Sequence, residues 1–189
     1  MARRRTHGFT LVELMIVVAM IGVLATLAIY GANRYINHSK TAEATTSLGA
    51  LEVAEIAQFQ RDSDAGGVGT GPYVHAFCPC EGNSFGSSNV ANCLKTFEPG
   101  PPPSVAKGIT PAAVWLRQEW ACANFAIREP HYYAYHKAST GSGVGAHLYI
   151  DAYGDLNQDG APAYYEIQDV GGANGDVQRV WFLVVNGDE

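Results

Sequence analysis

The chain has 189 residues, a formal net charge of −6 and 47% hydrophobic residues. An acidic balance of this kind excludes non-specific nucleic-acid binding, which needs cationic patches to displace counterions. The length suits a single folded head with a usable core, carried on a membrane anchor.

The chain opens on a short basic leader containing Arg3, Arg4 and Arg5, followed by an apolar run from Phe9 to Tyr30 broken by one carboxylate, Glu13. At ~1.5 Å per residue this run forms a helix of roughly 33 Å, enough to cross a bilayer. The leader arginines hold the N terminus in the cytoplasm, so everything after Gly31 is expected on the far side of the membrane. A carboxylate inside a spanning helix is costly, and is more readily understood if a later state supplies it with a partner. An ordinary secretory signal is cut after its apolar region, at small residues. Here the recognisable motif precedes the apolar run, so the helix stays with the protein.

The residues Gly8-Phe9-Thr10-Leu11-Val12-Glu13-Leu14 closely resemble the processing site of type IV prepilins. The resemblance implies cleavage between Gly8 and Phe9 by a prepilin peptidase, which also methylates the new N terminus at Phe9. It implies that Glu13, as the fifth residue of the processed chain, neutralises the terminal ammonium of a neighbouring subunit during assembly. Pairing the two charges in an apolar surround offsets much of what each costs alone. The match runs almost position by position from Phe9 to about Ile29. Ser39-Lys40-Thr41-Ala42-Glu43-Ala44, with Leu48 and Leu51, resembles the outward continuation of the pilin helix. Many members carry a proline near the end of the apolar run; this chain has Tyr30-Gly31 there and no proline before Pro72.

Residues 32–61 read as the exposed half of the same helix. Ala44, Leu48, Leu51 and Phe59 fall within one arc with Ile56 on its flank, while Glu55 lies inside the arc and Glu52 near its edge. That stripe is expected to pack on the sheet of its own head. Asp62-Ser63-Asp64-Ala65-Gly66-Gly67 supplies turn formers that end the helix. The stretch that follows, to about Pro111, is rich in Gly, Pro, Ser and Asn, and a loop of that length needs ties.

The cysteines Cys78, Cys80, Cys93 and Cys122 supply those ties. Disulfides persist on the far side of a bacterial inner membrane. Cys78 and Cys80 are too close in sequence to bridge each other without strain, so each is expected to pair with Cys93 or Cys122, in an order the spacing leaves open. A four-thiolate zinc site would want two Cys pairs at tighter spacing. Pro111 to Trp120 is expected as a short helix with Thr110 as its N-cap.

Four strands are predicted next: 131–136, 146–152, 163–168 and 178–185, aromatic or β-branched and separated by turns. Short connections favour an antiparallel meander. The expected fold class is therefore α+β, a long N-terminal helix with an apolar spanning half and an amphipathic half, laid on an antiparallel sheet of about four strands. The expected domain plan is a leader over 1–8, a membrane and filament-core helix over 9–31, the exposed half of the helix over 32–61, and a disulfide-stapled loop and sheet head over 62–189.

Asp155, Asn157 and Asp159, followed by Gly160 and by Glu166, satisfy the oxygen-ligand spacing of a calcium loop. The flanks look like strands rather than helices, and Pro162 sits inside the loop, so a polar hairpin turn is the competing and favoured reading. Calcium is thus the one candidate cofactor, with a stiffening role and no catalytic one. Gly82-Asn83-Ser84-Phe85-Gly86 matches a nucleophile-elbow pattern without a strand-to-helix context. Gly141-Ser142-Gly143-Val144-Gly145-Ala146 has dinucleotide-loop glycines but lies between two strands. His38, His75, His131, His136 and His147 show no ligand spacing. No catalytic constellation stands out, and no enzyme is expected. Ten tyrosines and seven phenylalanines are expected chiefly as sheet core or subunit interface, with carbohydrate recognition the sharper alternative.

The resemblance implies a structural subunit of a type IV pilus or pilus-like filament, polymerised through its N-terminal helix and serving adhesion, motility or DNA uptake. Its implied partners are further pilin subunits, the prepilin peptidase and N-methyltransferase, and an assembly platform and ATPase supplied by the cell. It would sit in the inner membrane as a single-pass protein before assembly and in an extracellular pilus afterwards. The alternatives are a pseudopilin of a type II secretion system and a membrane-anchored adhesin that never polymerises.

Overall fold

The computed structural model describes residues 8–64, 73–80 and 106–187. Two compact units emerge, residues 1–37 and residues 38–189. Helix α1 is Leu11–Phe59. Within the first unit it is helical through Gly22 and Gly31, so neither glycine breaks it, and its apolar side chains stand in the open from Phe9 to Ile29.

In the second unit the same helix turns amphipathic. Thr41, Ala44, Leu48, Leu51, Glu52, Glu55 and Phe59 are buried, at the three- and four-residue spacing that makes one face of a helix. They cover an antiparallel four-stranded sheet in the order β3-β4-β5-β6, formed by β3 (Ala134–Thr140), β4 (His147–Gly154), β5 (Ala163–Gly171) and β6 (Val177–Val185). The helix-side layer runs across strands in register: Tyr135 opposite Ala152 opposite Tyr165, and Ile150 opposite Ile167. This alternation puts Tyr133, Tyr135, Leu148, Ile150, Tyr165 and Ile167 into one core with Leu48, Leu51 and Phe59. Burial of apolar area at ~25 cal/mol per Å² is what holds helix to sheet. Two glycines make the close approach feasible. A Cβ at Gly171 would lie 2.3 Å from the Phe59 ring, and one at Gly154 would lie 2.7 Å from the Tyr133 ring.

Several boundaries differ from expectation, each for a physical reason. Asp62–Asp64, expected as a turn, forms a short strand β1 paired with β2 (Tyr73–His75). The helix expected over Pro111 to Trp120 splits into α2 (Ala112–Trp115) and α3 (Gln118–Ala123). Thr110 does not cap it: Pro111 occupies the cap position without a side-chain bond, and the Thr110 hydroxyl lies 3.0 Å from His131 Nε2. The first sheet strand starts and ends later than predicted because it includes Lys137 and Ser139, polar residues that are nonetheless buried. Their partner is the Cys78 carbonyl, which accepts from Lys137 Nζ at 3.0 Å and from Ser139 Oγ at 2.7 Å. Lys137 also pairs with Glu55, both side chains fully buried, and Glu55 Oε2 accepts from the Cys78 amide at 2.9 Å. The carboxylate that interrupts the apolar stripe is thus the anchor of the cysteine segment.

The cysteine pairing left open by spacing is Cys78–Cys122. Cys80 is also disulfide-bonded. Cys93 lies outside the described residues, as do the Gly82–Gly86 motif and Pro99–Pro103.

Candidate functional site

The chemistry-bearing end of the molecule is the start of α1. Gly8 and Phe9 precede the helix and are exposed; Phe9 is 85% exposed, and no atom would lie within 4 Å of a Cβ at Gly8. Thr10 and Glu13 close the helix end reciprocally. Glu13 Oε2 accepts from the Thr10 amide at 2.8 Å and from the Thr10 hydroxyl at 2.7 Å, while the Glu13 amide donates to Thr10 Oγ1 at 3.2 Å. This is a capping box, in which two amides with no helical acceptor are satisfied by each other's side chains. Its signature in the sequence is Thr-x-x-Glu ahead of an apolar run. The box fixes where the carboxylate stands, at the first turn and exposed.

Beyond it, Leu11, Val12, Leu14, Met20, Val23 and Leu24 are each about 60–75% exposed and circle the helix rather than forming one stripe. The helix is long and apolar enough to cross a membrane. A helix apolar all round must find its cover outside its own chain or remain unstable in water.

The candidate calcium loop joins β4 to β5. Three of its side-chain oxygens accept from backbone amides: Asp159 N–H to Asn157 Oδ1 at 2.9 Å, Gly160 N–H to Asp155 Oδ2 at 3.2 Å, Ala161 N–H to Asp159 Oδ1 at 2.7 Å. Gln158 and Gly160 take positive φ, at 59° and 82°, as a tight turn requires. Glu166 is not on the loop. It sits within β5 opposite Asp151, accepting from the Tyr164 hydroxyl at 3.0 Å and from Gln168. Strand pairing has taken the fourth oxygen donor away from the other three, and among the described residues no group of three or more His, Cys, Asp or Glu gathers to hold a metal. The loop is a polar hairpin turn, tied to the end of β6 by Asn186, which donates to the Ala161 and Pro162 carbonyls. The Gly141–Gly145 segment is likewise the β3–β4 hairpin, with Gly141, Gly143 and Gly145 at positive φ.

Two polar sets complete the head. On the outer sheet face His136 Nδ1 lies 2.8 Å from Asp151 Oδ2, and the Tyr164 hydroxyl donates to Asp151 Oδ1 at 2.9 Å. Burial, with Asp151 and Glu166 beside it, pushes the Tyr164 hydroxyl well above its ordinary range. On the helix side, Arg179 of β6 donates to Glu52 of α1 through Nε, at 2.7 Å to Oε1, and through Nη2 to Oε2. Asp169, opposite Arg179 in the strand register, is fully buried, and among the described residues neither of its carboxylate oxygens has a hydrogen-bond partner. Burial first, then the nearby Glu52 charge, push it up to about 6 against a partial opposing pull from Arg179.

Comparison with known proteins bears on the N-terminal end. The prokaryotic N-terminal methylation motif matches residues 3–29. The chain is 44% identical over 86 residues to the type IV major pilin protein PilA of Myxococcus xanthus (strain DK1622), covering 43% of this chain and 36% of that one. It is 46% identical over 65 residues to the type IV major fimbrial protein FimA of Dichelobacter nodosus, covering 34% of this chain and 40% of the relative. A probable minor fimbrial protein of the same organism is 43% identical over 51 residues, covering 27% and 32%. The chain thus spans about two fifths of the length of the curated relatives it matches. No solved structure matches it.

Proposed function

We propose that the chain, which carries the N-terminal methylation motif and is similar to type IV pilins over its N-terminal part, is a structural subunit of a type IV pilus or pilus-like filament. The precursor sits in the inner membrane with its head on the far side. A prepilin peptidase cuts between Gly8 and Phe9 and methylates Phe9. Residues 9–31 then pass from lipid into a bundle of like helices at the filament core, 32–61 form the outer half of the helix, and 62–189 form the head. A platform and an ATPase of the host cell supply the work of extraction. The filament serves adhesion, motility or DNA uptake.

The observation that carries this reading is the pairing of an uncovered helix, apolar on every side, with a methylation motif at its head. In a membrane the helix is covered by lipid; once withdrawn, only neighbouring copies offer comparable apolar surface. Glu13 then meets the terminal ammonium of the next subunit, freed by the cut after Gly8. The relatives named as pilins and fimbrial proteins favour the pilus over a secretion pseudopilus.

The test is Glu13→Ala in a strain that assembles the protein. Membrane insertion should be unchanged, because the substitution makes the segment more apolar, while subunits in sheared surface filaments should fall below detection. Normal filaments from the variant would remove the pairing role.

A further inference from the structure

The face of the sheet turned away from α1 carries chemistry that the filament reading leaves unused. Side chains alternate along each strand, so His136, Asp151, Glu166 and Leu183 stand in one row across that face. Ala138, Tyr149, Gln168 and Trp181 form the row on one side of it, and Ala134, Tyr153, Tyr164 and Val185 the row on the other. Asp151 and Glu166 are thus two carboxylates directly opposite each other, a pairing that is unfavourable unless something compensates it. An open groove of about 350 Å³ is lined by both of them, with His136, Tyr149 and Tyr164.

The protons of this groove do not match its charges. His136 Nδ1 lies 2.8 Å from Asp151 Oδ2, and Gln168 donates to Glu166 Oε1. The Tyr164 hydroxyl lies 2.9 Å from Asp151 Oδ1 and 3.0 Å from Glu166 Oε2, but it carries one proton and serves one of them at a time. Burial and the two carboxylates keep that proton on the tyrosine, so Tyr164 brings a dipole and no compensating charge. Even a protonated His136 would offset only one carboxylate of the two. Among the described residues the rows of this face contain no lysine or arginine. Lys137 and Arg179 point to the helix side, where they pair with Glu55 and Glu52. Asp151 is only 6% exposed, a position in which a charge is costly unless it is met by another. Aromatic rings stand beside the pair. Tyr149 lines the groove with His147 stacked on it at 6.0 Å, and Trp181, in the same row as Tyr149, is 53% exposed. Ring faces of this kind attract cations.

We propose that this groove binds an organic ammonium ion, the primary amine of a small molecule, with its N–H donors entering between Asp151 and Glu166 and its carbon frame lying on Tyr149. An ammonium brings three donors and one positive charge, which are the two things the opposed carboxylates lack. A metal ion fits the groove less well, because among the described residues no group of three or more His, Cys, Asp or Glu gathers to hold one and the rings offer it no ligand. An anionic ligand meets two like charges. A polyamine and an amino sugar share the required chemistry.

The experiment is titration calorimetry of the full-length chain at pH 7 in a polyoxyethylene detergent, which brings neither amine nor sugar. The probes are spermidine, glucosamine, N-acetylglucosamine and calcium chloride. Spermidine or glucosamine should bind at one site, and whichever binds more tightly identifies the source of the amine. N-acetylglucosamine, which keeps the sugar ring and loses the charge, should give no heat. Glu166→Gln should weaken amine binding roughly tenfold by removing a charge-assisted acceptor, and Tyr149→Ala about fivefold by removing the ring face. Asp176→Asn, which removes a carboxylate from the exposed β5–β6 connection, should leave the affinity unchanged. A denaturant midpoint measured on each variant shows that the head is folded, and Tyr149→Ala decides the matter if Glu166→Gln is not. No heat with either amine, or the same affinity in Glu166→Gln and Tyr149→Ala as in the unsubstituted chain, overturns the proposal. So does equal binding of N-acetylglucosamine, which would make the groove a neutral-saccharide site, or calcium binding abolished by Glu166→Gln, which would make it a metal site. The measurement uses dispersed chains, so its outcome is independent of whether the protein polymerises.

Discussion

The two ends of α1 solve the same problem in opposite ways. From Leu11 to Ile29 the apolar side chains circle the helix and remain exposed. From Thr41 to Phe59 they are confined to one face, and that face is buried under a four-stranded sheet. One end is left without cover from its own chain among the described residues; the other is covered by its own sheet. A residue of one type therefore means different things along one helix. Leu24 is 64% exposed and Leu51 fully buried, though both are leucines of a continuous helix.

The carboxylates show the same contrast. Glu13 is exposed and, among the described residues, bonded to Thr10. Glu55 is fully buried and already paired with Lys137 and the Cys78 amide. Separating them experimentally gives a graded series. The largest stability loss should come from Lys137→Met, which leaves Glu55 as an unpaired buried charge and should cost about 3–5 kcal/mol. Denaturant unfolding of the detergent-solubilised chain, followed by tryptophan fluorescence, measures it. Adding Glu55→Leu should recover most of that loss, since an apolar pair can replace a buried ion pair at little cost.

Next in size is the leucine comparison. Leu51→Ala opens a cavity in the core and should cost about 2–5 kcal/mol. Leu24→Ala should leave the unfolding of the head unchanged and lower filament yield instead. A similar unfolding loss in both variants would dissolve the distinction between the two ends. Removing the tie between Cys78 and Cys122 with a double serine substitution should follow at about 2–4 kcal/mol, read in the same assay.

The smallest effect is a pH dependence. Asp169 is raised from its ordinary value of 3.8 to about 6, so between those values the folded head binds more protons at this site than the unfolded chain does. Its contribution to stability is therefore fully present below pH 4, falls as pH rises toward 6, and is flat above. Asp169→Asn should remove that slope while Arg179 keeps its grip on Glu52. An Asn variant with an unchanged slope between pH 4 and 6 would place the titration elsewhere.

Much of this was legible in the residues because the signals were local. The motif Gly8 to Leu14, the apolar run, and the arc of Ala44, Leu48, Leu51 and Phe59 depend only on neighbours along one helix, and the structure buries that arc as expected. The antiparallel order of four strands followed from short connections. What escaped depends on partners far apart in sequence. Lys137 and Ser139 look like the polar end of a strand until the Cys78 carbonyl arrives to meet them. Glu52 and Glu55 blurred the amphipathic stripe, because Arg179 and Lys137, which neutralise them, lie on β6 and β3. Asp155, Asn157, Asp159 and Glu166 have calcium spacing in sequence, yet the strand that pairs Glu166 with Asp151 separates it from the loop. Thr110 had a helix-capping neighbourhood, but His131 claims its hydroxyl.

The claim on which the rest depends is that residues 9–31 change from lipid-facing to subunit-facing once the basic leader is removed. The most direct measurement is the intact mass and N-terminal sequence of the protein in sheared surface filaments. The expected product begins at a methylated Phe9 and lacks Met1 to Gly8. Recovery of the chain only as dispersed membrane monomers still carrying Arg3, Arg4 and Arg5, from cells with an active leader peptidase and assembly apparatus, would contradict it.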